Sequence, residues 1–87
     1  MTFDVRVEVL LRGGIADPAG STIERSLPTL GFEGVRDVRV GKSIRFTVEA
    51  VDEGAAVAAV EDMCARFLTN PVIEESVVSV EPTGGAA

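Results

Sequence analysis

The stretch Val38-Arg39-Val40-Gly41-Lys42-Ser43-Ile44-Arg45-Phe46-Thr47-Val48 decides how the sheet of this chain is built. Its apolar residues all fall at even positions, so the alternation passes through Gly41-Lys42 without a shift. A two-residue loop there would place Val40 opposite Ser43 and mix core and solvent residues on one face. The segment from Val35 to Ala50, which contains this stretch, is therefore either a hairpin with the loop 41–43 or one long bent strand of about 15 residues. A strand of that length would project beyond a small domain and predicts a dimer, in which a second copy covers it.

The segment before this stretch predicts a strand followed by a short helix. Apolar residues share one parity and charged residues the other, which is typical of a strand with one buried face. The apolar residues are Phe3, Val5, Val7, Val9 and Leu11, and the charged residues are Asp4, Arg6 and Glu8. The helix has two possible starts, a cap at Asp17 with Pro18 in the first position or a capping box from Ser21. Ile23, Leu27 and Leu30 form the apolar face of this helix. Pro28 predicts a kink or an early, loosened end, and Gly31 finishes the helix.

The segment after the stretch predicts a second helix and a last strand. Asp52 is a good capping residue, and Asn70-Pro71 stops a helix, so we expect helix from about Asp52 to Thr69 and a strand from Val72 to Glu81. Helical spacing predicts an inward stripe of Ala56, Val60, Met63 and Phe67, with Val57, Cys64 and Leu68 beside it.

This order of elements predicts an α+β fold, with an antiparallel sheet and two helices on one face. A ferredoxin-like half is its natural description. We expect a single domain over residues 1–82 and a disordered tail over residues 83–87, where glycine and alanine dominate.

Composition limits the partners of the chain. Its 87 residues carry 14 acidic and 8 basic side chains, a net charge of −6, which argues against nucleic acid and anionic membrane as partners. The amino terminus lacks a basic region followed by an apolar run, and no apolar stretch approaches the roughly 20 residues of a membrane span. A single cysteine excludes an internal disulfide, so we expect a soluble cytoplasmic protein.

The residue types needed for catalysis are scarce. The chain has no histidine, and its lone Cys64 lies on an apolar helical face, where a buried and inert thiol is expected. Gly41-Lys42 lacks the rest of a phosphate-binding loop, and the neighbouring carboxylates of the chain do not face one another. The sequence therefore predicts no catalytic residue, no cofactor site and no metal site in this chain.

Three stretches together resemble a known family. They are Gly14-Ile15-Ala16-Asp17-Pro18-Ala19-Gly20, Val38-Arg39-Val40-Gly41-Lys42 and Met63-Cys64-Ala65-Arg66-Phe67-Leu68-Thr69-Asn70-Pro71-Val72-Ile73-Glu74. In this order and spacing, over roughly residues 3–81, the chain resembles the PurS subunits of phosphoribosylformylglycinamidine synthase, a multi-subunit ligase of purine biosynthesis.

The resemblance implies both an assembly and a task. A large synthetase subunit (PurL) would bind ATP and formylglycinamide ribonucleotide, and a glutaminase subunit (PurQ) would release ammonia from glutamine. The small subunit would bridge the two so that ammonia passes without loss, which is a task of positioning. It would form a homodimer of ferredoxin-like halves with a shared long central strand, and a tetramer is the alternative state in isolation.

Two groups of residues are candidates for the partner interface. The helix stop and the following apolar and acidic string look exposed, and nothing intrinsic to a strand start requires Glu74, while a turn tolerates many residues at Lys42. The predicted interface residues are Arg39, Gly41, Lys42, Arg45, Asn70, Pro71, Ile73 and Glu74.

An alternative function belongs to a different class of protein. A ferredoxin-like regulatory module, such as an amino-acid-sensing domain, would bind a small molecule at its dimer interface near a glycine-rich turn such as Arg12-Gly13-Gly14.

Overall fold

Three strands and two helices make up the computed structural model, which describes residues 1–83. In chain order the elements are β1 (Thr2–Leu11), α1 (Pro18–Ser26), β2 (Lys42–Glu49), α2 (Glu53–Met63) and β3 (Glu74–Pro82). The predicted α+β fold class is confirmed. Of the predicted tail, only Thr83 lies within the described residues.

The sheet is built around its first strand. Its order is β2-β1-β3, and both pairs are antiparallel. Val7 lies between Ile44 of β2 and Val78 of β3, so the apolar positions of all three strands share one face. The central strand contributes four buried residues to that face, namely Phe3, Val5, Val7 and Val9.

One helix covers the apolar face of the sheet. The buried residues of α2 are Ala56 and Val60, and Cys64 follows at the same spacing of four, which places all three on one side of the helix. They close a core with β1, and residues of β3 pack against its edge. The predicted cap is confirmed, because the Asp52 carboxylate accepts a hydrogen bond of 2.8 Å from the Ala55 backbone N–H.

The predicted inward stripe of α2 was wrong at Phe67. That side chain is 87% exposed, whereas Ala56 and Val60 of the stripe are buried. Cys64, which was expected beside the stripe, is buried as predicted for that thiol. The helix changes at this point into a π turn over Cys64–Leu68, closed by the Thr69 N–H and hydroxyl, which both donate to the Cys64 carbonyl. A π turn holds an extra residue, so Phe67 rotates outward and Leu68 packs against the core instead.

The first helix begins and ends where the sequence signals at Asp17, Pro28 and Gly31 predict. Asp17 is the cap, with its Oδ1 accepting from the Gly20 N–H at 2.9 Å, and the alternative start at Ser21 is not used. Pro28 ends the α-helix and opens a single 3₁₀ turn, which Gly31 closes with a φ of 93°. That left-handed conformation suits glycine because it has no Cβ.

The long apolar stretch is not a hairpin. Lys42 and Ser43 already belong to β2, which pairs with β1, and within residues 1–83 the segment 35–41 pairs with no strand. Gly41 runs close to β1, where a Cβ would lie 2.6 Å from the Val9 carbonyl oxygen. Only the second half of the stretch is therefore a strand, and the first half lies against α1.

We expect two substitutions in the α2 region to separate the core from the surface. Val60→Ala leaves a cavity under the helix and should lower the free energy of unfolding by about 2 to 3 kcal/mol. Phe67→Ser removes a larger side chain but an exposed one, so the change should stay within about 0.5 kcal/mol. Urea unfolding at one fixed protein concentration measures both. An equal loss in the two variants would contradict the observed stripe.

Candidate partner interface

The two predicted groups of interface residues lie at the same end of the sheet. Lys42 is the first residue of β2 and Glu74 the first of β3, and they stand opposite Val9 and Leu11 of the central strand. Both groups therefore flank the carboxyl-terminal end of β1. Sequence reasoning identified the groups separately, and the antiparallel sheet brings them together.

Arg12 joins the two groups and was missed by the sequence analysis. Its backbone N–H donates to the Ile73 carbonyl at 2.8 Å, and its Nε donates to the Pro71 carbonyl at 3.0 Å. Its Nη1 lies 4.0 Å from a carboxylate oxygen of Glu75. On the other side, the Arg12 carbonyl accepts from Nη2 of Arg39 at 3.4 Å. The only sequence signal was a basic residue directly before the Gly13-Gly14 turn.

Arg39 and Asp17 connect this end of the sheet to α1. The Arg39 guanidinium donates to the Leu11 carbonyl at 3.1 Å, and its Nε lies 3.7 Å from Oδ2 of Asp17. The same Asp17 oxygen accepts from the Val40 N–H at 2.8 Å. One carboxylate therefore caps the helix and fixes the segment that leads into β2.

Further contacts hold this segment against α1. Glu24 is the residue that would have closed the alternative capping box from Ser21. Its carboxylate instead accepts a hydrogen bond from the Val38 N–H at 3.0 Å. Gly20 is buried against the Val38 carbonyl, where a Cβ would clash. Helix and segment thus form one unit held mainly by hydrogen bonds.

The surroundings of Asp17 favour its ionised form. Hydrogen bonds from the backbone N–H groups of Gly20 and Val40 are the main reason that the pKa of Asp17 lies below its usual 3.8. Burial opposes them, and the charge of Arg39 lowers the pKa by the smallest contribution. The side chain is only 9% exposed, so its contacts are shielded from water.

The turn between the π turn and β3 uses Glu74 for its own structure. The Glu74 Oε1 accepts from the Asn70 N–H at 2.7 Å, and the Glu74 N–H donates to the Asn70 carbonyl at 2.7 Å. Asn70 Oδ1 accepts from the Val72 N–H. The expectation that a strand start does not require Glu74 was therefore wrong. The strand also begins two residues later than predicted, because Val72 and Ile73 belong to this turn.

The remaining predicted residues differ in what they can offer a partner. Lys42 is exposed, and its side chain forms no hydrogen bond or ion pair with residues 1–83. Gly41 contributes by its lack of a side chain, since a Cβ would lie 2.5 Å from a methyl carbon of Leu10. Arg45 stands apart from the others, on the opposite face of β2 and across from Arg6.

Two further features are absent from the described residues. In residues 1–83 no group of three or more acidic or cysteine side chains is arranged to hold a metal ion. No helix in the same range is both long enough and apolar enough to cross a membrane.

Comparison with known proteins defines the class. The family model described as "PurS: Phosphoribosylformylglycinamidine (FGAM) synthase" matches residues 4–82. PurS subunits from Synechocystis sp. and Methanothermobacter thermautotrophicus are 39% and 41% identical over 85 residues, covering 98% of this chain and 85% and 100% of theirs. A chain in the structure of PurLQS from Thermotoga maritima is 38% identical, with a TM-score of 0.85, covering 92% of this chain and 98% of that one.

These matches place the chain among the small subunits of a multi-subunit synthase of purine biosynthesis. It belongs to the PurS family of phosphoribosylformylglycinamidine synthase subunits. The resemblance found in the three sequence stretches is confirmed, and the alternative of a small-molecule regulatory module receives no support.

We expect Asp17→Asn to reveal the role of the carboxylate through pH. Because its pKa is lower in the folded chain than the usual 3.8, ionised Asp17 stabilises the fold fully above that value and progressively less as the pH falls through the folded pKa. The free energy of unfolding should therefore differ between wild type and variant by a constant amount above about pH 5 and converge below it. Ser21→Ala, at the unused cap position, is the control and should follow wild type at every pH.

Proposed function

We propose that this subunit bridges the large synthetase subunit and the glutaminase subunit and aids ammonia transfer between them. The observation that carries the proposal is the match over 92% of the chain to a chain in the structure of PurLQS. The polar, exposed end of the sheet around Arg12 and Lys42 is the surface that we assign to a partner. The residues of this surface are Arg39, Gly41, Lys42, Asn70, Pro71, Ile73 and Glu74, while Arg45 lies on the opposite face of β2.

In this proposal the chain acts by position and catalyses nothing alone. Ammonia that escapes into water is diluted and protonated, so a subunit that holds two active sites in register and excludes water preserves it. The sequence has no histidine to serve as a general base, and the buried side chains of the described residues are apolar apart from the Cys64 thiol. The reaction would take place on the partner subunits, in the cytoplasm.

A homodimer is the second part of the proposal. The Cα atoms span only 14 Å in the thinnest direction, and Ile44, Phe46 and Val48 of the edge strand β2 remain partly exposed. Apolar side chains on α1 and the segment after it are exposed as well. They are Ile23, Leu30, Phe32, Val35 and Val40.

A second copy of the chain suits both surfaces. The apolar residues of α1 in one copy would cover the open part of the sheet in the other, and the reverse contact would follow by twofold symmetry. Such an exchange buries apolar area that a chain of 87 residues cannot bury by itself. It also gives the segment 35–41 a neighbour, which would complete the long shared strand.

The dimer is tested by one pair of neighbouring substitutions. Leu30 is 70% exposed in the single chain, so Leu30→Asp should leave the chain folded but shift sedimentation from dimer to monomer at micromolar concentration. Thr29→Asp introduces the same charge next to it and should remain dimeric. Ile44→Asp or Phe46→Asp should abolish folding as well, because those side chains pack against the core. A wild-type monomer at that concentration would refute the dimer.

The bridging surface is tested by Lys42→Glu. The variant should still dimerise, while glutamine-dependent synthesis by the reconstituted complex falls about tenfold, the effect of about 1.4 kcal/mol lost in assembly. Ammonia-dependent synthesis by the large subunit should be largely retained. Glu74→Lys should act in the same direction and also destabilise the turn, because the Asn70 N–H loses its acceptor.

The matched control for Lys42→Glu is Arg25→Glu, a reversal of the same size on the exposed surface of α1. It should support wild-type glutamine-dependent synthesis. If Lys42→Glu and Glu74→Lys both assemble and work like wild type, this end of the sheet is not the partner surface.

A further inference from the structure

A groove runs between α2 and the first half of β3, on the helix side of the sheet. Its floor is apolar and includes Val57, Cys64 and Val78. Three carboxylates, those of Glu61, Glu74 and Glu75, also line the groove. An apolar floor beside carboxylates matches a long basic side chain, whose methylene stem packs on the floor while its charged end reaches the acids.

The negative charge of this groove is only partly neutralised within the chain. The Glu61 carboxylate accepts no hydrogen bond and forms no ion pair within residues 1–83. In the same range, the Glu75 carboxylate has one ion-pair partner, the Arg12 guanidinium, which also lines the groove and lies 4.0 Å away, at the outer limit of an ion pair. The groove therefore presents uncompensated carboxylates in a chain whose net charge is already −6.

Two exposed apolar side chains lie in the segment that borders the groove. Ala65, Thr69 and Pro71 of this segment line the groove. Phe67, between Ala65 and Thr69, is 87% exposed, and Val72, directly after Pro71, is 79% exposed. Phe67 points outward because of the π turn, a feature that is frequent at functional sites. Exposed aromatic residues beside charged ones are typical of binding hot spots.

We infer that this groove receives an arginine or lysine side chain from another subunit of the synthase, with Phe67 packing against apolar surface next to it. The inference rests on the proposed function for the identity of the partner. A second copy of this chain is a poor occupant, because it would bring its own acidic surface to an acidic groove. The apolar surfaces suited to a second copy lie on α1 and β2 instead.

The inference is tested by binding of the intact dimer to the large synthetase subunit and to the glutaminase subunit, each immobilised, over a range of salt concentration. Glu61→Arg should weaken binding to one of them by about tenfold and reduce its dependence on salt. Phe67→Ser should weaken binding to the same subunit by about tenfold with the salt dependence unchanged. Both side chains are exposed, so both variants should melt like wild type.

Glu81→Arg is the matched control, because it reverses an exposed charge on β3 far from the groove. It should bind like wild type, and an equal loss in this variant would mean that net charge alone attracts the partner, which overturns the inference. Wild-type binding by Glu61→Arg and Phe67→Ser would overturn it too and leave the proposed function standing. Failure of the wild-type dimer to bind either subunit would overturn the proposed function itself.

Discussion

The burial of the central strand is the constraint on which the rest of the structure depends. Phe3, Val5, Val7 and Val9 of β1 are almost completely buried, and both other strands obtain their register by pairing with this one strand. Moving either neighbour by one residue would turn its apolar side chains to the charged face. The same register brings the starts of β2 and β3 to the end of β1, where Arg12 links them. The candidate interface is therefore a direct result of how the core is assembled.

The elements with strong local signals were predictable from the sequence. Strict alternation identified β1, capping carboxylates at Asp17 and Asp52 identified the helix starts, and Pro28 with Gly31 identified where α1 ends. The apolar parity through Gly41-Lys42 excluded a tight hairpin, and the pairing of β2 with β1 excludes the wider one. In each case, the chemistry of a few neighbouring residues determines the local conformation.

The features that the sequence did not predict have local and distant causes. The outward rotation of Phe67 follows from a π turn, whereas helical spacing assumes 3.6 residues per turn throughout. Glu74 accepts a hydrogen bond from Asn70 within a single turn, a contact that strand patterns do not indicate. Arg12 donates to the carbonyl of Pro71, 59 residues along the chain, which only the folded sheet brings within reach. Three sequence stretches were enough to recognise the family, because each combines a turn or cap with its neighbours, but they could not show which side chains meet.

The attachment of α1 has a consequence for the dynamics of the chain. The helix is held to the segment before β2 by a few hydrogen bonds that the carboxylates of Asp17 and Glu24 accept, while its apolar side chains do not belong to the core. A unit with so little buried apolar area opens at a much lower free energy than the sheet, so its amide hydrogens exchange with solvent long before those of β1. Any partner that covers this helix would therefore contribute ordering as well as contact, and its binding would complete the folding of the chain.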